Sequence, residues 1–275
     1  MKRNLKLCML VAAMTFPVSA ATAHADDTQI IDFFAGEGCA IGPTTRALAI
    51  EAGFEEEAIE ALAQTARADP ESVETGDWVV LSAASCKIRP PRVKSELRLD
   101  DPEIKSRISA IDLHADEGEP GCFLNADTLY EELMVTRGWL PDKALREHLR
   151  LLSENLVTGE LAFYTDDSLS TPVGFQLTSG ECADVPNMAE IRRSHQVLIE
   201  NFDRLIRADM ENAVCETDGS PSWQALQLFP ELTGGESSNA WMAMEMRFIL
   251  MGSGWIEGIT MTNKGMPRPP LCTYE

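Results

Sequence analysis

Basic residues are scarce in this chain. Lys and Arg number 23 against 44 Asp and Glu, for a formal net charge of −21. A surface so acidic repels phosphate backbones and anionic membrane faces, which excludes nucleic acid as a partner. Histidine is scarcer still, with four residues in 275. Beyond the first twenty or so positions no apolar run reaches the ~18 residues of a membrane span. From residue 26 onward no two cysteines lie closer than 33 residues. That spacing excludes the paired-cysteine motifs of redox centres and zinc ribbons. The stretch Gly252–Trp255 reads GSGW and lacks the G-x-S-x-G pattern of a nucleophile elbow.

What is present begins with a leader. Lys2, Arg3 and Lys6 precede an apolar stretch from Leu7 to Val18, and Ala23-His24-Ala25 closes it with small residues around the cut. Residues 1–25 read as a secretory signal peptide. Its removal takes three basic residues and no acidic one, so the formal charge falls from −21 to −24. No membrane insertion is expected after the leader is removed, and the mature chain is expected in the periplasm or outside the cell.

Six cysteines remain, Cys39, Cys86, Cys122, Cys182, Cys215 and Cys272. An even number in an exported chain implies disulfides, and six allow many pairings. Internal repetition selects among them. Cys39, Cys122 and Cys215 are each followed by a short helical stretch with start and stop signals. These are Pro43 and Gly53, then Asn125 and Gly138, then Ser220-Pro221 and Gly234-Gly235. A second helix follows each time. Phe54, Ala58, Ile59, Leu62 and Ala66 mark the first, Leu145, Leu149, Leu152 and Leu156 the second, and Trp241, Met244, Phe248 and Met251 the third, all at helical period. Each copy then turns to hairpin-like sequence that ends at Cys86, Cys182 or Cys272. Ahead of Cys122, Ile104, Ile108 and Ile111 predict one more helix. Ahead of Cys215, Ile191, Leu198, Phe202 and Leu205 predict another.

The unit is therefore helix, cysteine, helix, helix, hairpin, cysteine. In element order it resembles a winged-helix module, and it recurs after 83 and then 93 residues. The expected fold is α+β and predominantly α. It comprises three tandem winged-helix-like modules at residues 26–88, 89–184 and 185–275, each of three helices and a β-hairpin. The repeat pairs Cys39 with Cys86, Cys122 with Cys182 and Cys215 with Cys272. Closing loops of this size contributes about 4 kcal/mol each on the chain-entropy account.

Charge is uneven along the chain. Residues 26–86 carry 13 acidic side chains and only Arg46 and Arg67 as basic ones. Glu55, Glu56 and Glu57 open a helix there, where acids suit the macrodipole. Lys87, Arg89, Arg92, Lys94 and Arg98 then cluster around Pro90-Pro91, followed by Lys143, Arg146, His148 and Arg150 on one helix. The first five read as a stiff, solvated linker and as an interaction patch for an acidic surface.

Catalytic and metal constellations do not emerge. His195 lies on the apolar phase of its helix, and His148 sits among charges as an exposed residue. His114 stands near Asp112, Asp116 and Glu117 without ligand spacing. Tyr164–Ser170 reads as a hairpin turn. Trp78, Trp139, Trp241 and Trp255 flank element ends as core anchors. No cofactor is expected. The reading is a non-catalytic binding or scaffolding protein whose partner is another envelope protein. The competing readings are a secreted hydrolase with a site assembled between modules, and sequestration of a cationic peptide or metal.

Overall fold

Thr45 shows how locally the first unit is specified. Its hydroxyl receives the Gly42 N–H at 3.0 Å and donates to the Ala40 carbonyl at 2.7 Å. That closes the start of a helix whose first residue is Pro43. The computed structural model describes residues 23–109, 121–211, 213–215 and 224–275. The expected leader lies outside them up to residue 22, as do His114 and its acidic neighbours and the Ser220-Pro221 start signal.

The first unit runs α1 (Ala23–Ala35), β1 (Ala40–Ile41), α2 (Pro43–Glu51), α3 (Glu56–Ala68), β2 (Val73–Thr75) and β3 (Trp78–Val80). The second runs α4 (Pro102–Lys105), β4 (Ile108–Ser109), β5 (Phe123–Leu124), α5 (Leu129–Thr136), α6 (Pro141–Thr158), β6 (Leu161–Ala162) and β7 (Phe175–Leu177), with a 3₁₀ turn at Gly180–Asp184. The third runs α7 (Met188–Glu200), α8 (Phe202–Met210), α9 (Gln224–Leu232), α10 (Met242–Gly252), β8 (Ile256–Ile259) and β9 (Lys264–Pro267). The fold is mixed, with more helix than strand and small sheets.

The first two units share a strand order. In one, β3 lies between β1 and β2, and in the other β7 lies between β5 and β6, all antiparallel. In both, the carbonyl of the leading cysteine accepts a bond from the last strand's end, Leu81 N to Cys39 at 2.9 Å and Leu177 N to Cys122 at 2.8 Å. The third unit pairs β8 with β9, and its cysteine-proximal residue Val214 forms a parallel bridge with Thr273. Disulfides join Cys39 to Cys86, Cys122 to Cys182 and Cys215 to Cys272. Among the described residues, no helix is long and apolar enough to cross a membrane.

Several local expectations are corrected. The helix predicted through Ile104, Ile108 and Ile111 stops at Lys105, because Ile108 and Ser109 pair with Leu124 and Phe123 as an extra edge strand. Asn125 does not cap α5. Its Oδ1 accepts from Asp127 N at 3.0 Å in a turn, and Thr128 stands at the helix start. The long helix expected before Cys215 breaks at Asn201, whose Nδ2 donates back to the Val197 carbonyl at 2.9 Å. In α10 the most buried apolar side chains are Met242, Met246, Ile249 and Leu250. The predicted face of Trp241, Met244, Phe248 and Met251 packs partly buried at the rim of the core. This helix is covered on more than one side, so a single apolar stripe misplaces its centre.

One continuous apolar core runs through all three units. Helices α6 and α10 approach so closely that a Cβ on Gly252 would stand 2.2 Å from the Leu149 carbonyl oxygen. Ser153 Oγ donates across the same seam to the Ile249 carbonyl at 2.8 Å. Phe163, Phe175 and Phe248 cluster with ring centroids 5.0–5.4 Å apart. Phe202 packs on Trp255 at 6.1 Å. From α8, Arg207 donates to the carbonyls of Leu81 and Cys86, and Asp203 accepts from Ile88 N at 2.8 Å. The end of the chain returns to the first unit, where Arg268 pairs with Glu37 at 2.8 Å and Thr75 Oγ1 donates to the Tyr274 carbonyl.

Candidate functional site

The stretch from Lys87 to Asp100 forms no helix or strand, as two consecutive prolines dictate. It is not a freely solvated linker. Ile88 and Leu97 are buried, and backbone N–H groups are held by carboxylates of α6: Ser95 N by Glu154 at 2.8 Å and Glu96 N by Glu147 at 2.9 Å. Lys143 adds an ion pair with Glu96 at 2.9 Å. The segment is a strap laid across α6, and its five cations diverge. Arg89 and Arg92 both reach Asp32 on α1, at 2.7 and 3.1 Å. Arg98 pairs loosely with Asp100, and Lys87 is exposed. Arg92 and Lys94 face a cavity.

That cavity, about 640 Å³, lies between the strap, the first turns of α6, and the turn that joins α10 to β8. Arg92 and Lys94 line one side and Arg146 and Arg150 another. Asp142 and Glu257 also line it, and Leu149, Met251, Ile256 and Ile259 supply apolar surface. Two of the four cations are partly committed, Arg92 to Asp32 and Arg150 to Glu147 at 2.9 Å. Among the described residues Lys94 and Arg146 make no ion pair, and both are exposed. Glu257 is held at the far end by the Thr44 hydroxyl at 2.6 Å. Four cations against the two carboxylates of Asp142 and Glu257 leave this partly enclosed site net positive, so it attracts an anion even inside an acidic protein.

The sequence named every one of these cations, but in two separate groups. Packing brings Arg92 and Lys94 to Arg146 and Arg150, and leaves Lys87, Arg89 and Arg98 outside. The third wall, Gly252–Gly254 with Ile256–Thr260, comes from more than ninety residues further along the chain and carries no basic residue.

The histidines do not join this site. His148 is buried, contrary to its expected exposure, because it faces the α5 side of α6. There it meets the Tyr130 ring edge-on at 6.2 Å. Burial, aided by the Arg107 charge, pushes its imidazole down to about 4, so it is neutral at neutral pH. His195 packs against Gly159, and burial lowers it too. GSGW ends α10 and delivers Trp255 into the core. In the Tyr164–Ser170 segment Asp167 accepts from Leu169 N and from the Ser170 hydroxyl, which builds a turn. Trp78 and Trp255 are buried, Trp241 bonds the Ser170 carbonyl, and Trp139 stacks under Lys143 at 4.5 Å. Among the described residues, no group of three or more His, Cys, Asp or Glu converges to hold a metal ion.

Two buried acids stand apart from the groove. Glu245 accepts bonds from Phe163 N at 3.1 Å and Asn239 Nδ2 at 3.3 Å, yet burial pushes its carboxyl from 4.5 up to about 8. Burial likewise raises Asp209, whose Oδ1 has no partner, from 3.8 to about 7. A raised carboxyl keeps its proton in the folded state when the unfolded chain has released it. Its contribution is therefore full below pH 4.5 and declines as pH climbs to about 8. Relative to Glu245→Gln, the native protein is expected to lose about 1.4 kcal/mol per pH unit between roughly pH 5 and 7. Urea midpoints at several pH values check this, and parallel curves for the two proteins would refute it.

Comparison with protein-family models, curated proteins and solved structures gives no match.

Proposed function

We propose that the protein is an exported, non-catalytic binding or scaffolding protein, and that its groove holds an anionic part of another envelope protein. Residues 1–25 act as the leader in this reading. The mature chain consists of three tandem winged-helix-like modules, 26–88, 89–184 and 185–275, each stapled by one disulfide. The shared strand order of the first two units and the three bonded cysteine pairs support the repeat. Disulfides themselves favour an oxidising compartment.

The observation that carries the binding reading is the convergence of Arg92, Lys94, Arg146 and Arg150 on one cavity in a chain of net charge −21. Basic residues number 23 against 44 acidic ones, and among the described residues half of this cluster lacks an ion-pair partner. A long polyanion would meet the acidic surface around the groove, whereas a short anionic segment meets the four cations against only Asp142 and Glu257. The test is anisotropy of a fluorescein-labelled hexaglutamate. Binding is expected to weaken with added salt and to fall about tenfold or more in Lys94→Glu/Arg146→Glu. Equal binding by both proteins, or none by either, would overturn the reading.

A further inference from the structure

We infer that the groove takes its anionic ligand as an extended acidic peptide added as a strand to the outer edge of β8. This rests on the anion-binding reading above and specifies the occupant. Strand β8 pairs only with β9 among the described residues. Its other edge therefore corresponds to the outer edges of β2 and β6, the terminal strands of the first two sheets. Those two strands are only three and two residues long. Strand β8 has four residues, and all of them, with Thr260 beyond, line the cavity. An unpaired edge presents backbone N–H and C=O groups, and an incoming extended chain satisfies them.

The face of β8 beside its free edge is uncrowded. Gly258 is exposed at the centre of β8 with φ +72°. A Cβ built there would meet only Asn263 Nδ2 within 4 Å, at 3.6 Å. Glycine inside a strand marks a bend or leaves room for close approach by another backbone. Gly254, at the head of the same wall, has nothing within 4 Å of its own built Cβ.

Charge selects the side chains of the added strand. Opposite β8 stand Arg146 and Arg150 on α6 and Arg92 and Lys94 on the strap, four cations against the carboxylates of Asp142 on α6 and Glu257 on β8 itself. An extended peptide alternates its side chains between two faces. Acids at every second position place one face toward the cations, and a small apolar residue on the other face suits the half-buried Ile259. Backbone bonding gives such a ligand its register, and the cations give it its sign.

The experiment uses the full mature chain and a labelled peptide of alternating Glu and Val. Two N-methylated forms are made, one at odd and one at even residues. In a paired strand only one set of N–H groups faces the edge. One methylated form is expected to bind about tenfold or more weakly. The other is expected to bind like the parent. If both match the parent, or both weaken equally, strand addition is overturned even while hexaglutamate still binds. If the parent peptide and hexaglutamate both fail to bind, the anion-binding reading itself falls. An alternating Lys and Val peptide that binds as well as the parent would remove the role given to charge.

Discussion

Replacing Arg268 with alanine is expected to cost about 3–5 kcal/mol, because it leaves a partner charge uncompensated in a buried place. Arg268 is 2 % exposed. Its guanidinium donates to Glu37 Oε2 at 2.8 Å and to the Glu37 carbonyl at 3.1 Å. It also lies 5.6 Å from the Trp78 ring centre and 5.3 Å from that of Trp255. These groups belong to the first and third units, so one side chain joins the two ends of the chain. Burial alone pushes Glu37 above the ordinary carboxylate range, and the Arg268 charge acts against that shift. Without Arg268, the carboxylate must take a proton or draw water into the seam. Guanidinium chloride unfolding with the disulfides intact measures the loss. The double variant Glu37→Ala/Arg268→Ala is expected to lose less than the sum of the single changes, since they share one interaction. A loss under about 1 kcal/mol for Arg268→Ala would show that the pair is not a structural clamp.

The second large effect is expected at Gly252. This residue has helical rather than left-handed backbone, so glycine is not required by φ. It is required by distance: the built Cβ falls 2.2 Å from the Leu149 carbonyl oxygen and 2.4 Å from Ser153 Cβ. Gly252→Val forces α6 and α10 apart along the seam that also forms a wall of the groove. The expected loss is about 3 kcal/mol or more, at the upper end of overpacking effects. Gly254→Ala is the control. It has open space around its Cβ but a φ of +81°, and is expected to lose only about 1 kcal/mol, a conformational cost. Thermal melts of the two variants compare them directly. Equal losses would mean that the close approach of α6 and α10 is not what Gly252 provides.

Much of the frame was legible before packing is considered. The Pro43 start, the hairpin ahead of Cys86 and the cysteine pairing depend on neighbours in sequence or on cysteine order along the chain. The misplacements share one cause. Ile108 became a strand because β5, brought alongside, offers pairing. His148 became buried because α5 covers that face of α6. The centre of α10 shifted because α6, α7 and α9 all pack against it.

The sequence by itself determined the excess of acidic residues, the three cysteine pairs and the two patches of basic residues. Each of these is a property of composition or of short-range periodicity. Only the tertiary structure decided that the strap turns Arg92 and Lys94 toward Arg146 and Arg150, and that β8 closes the space between them. Such convergence depends on the angle and depth at which α6 meets α10, which side-chain volumes on two distant segments set jointly.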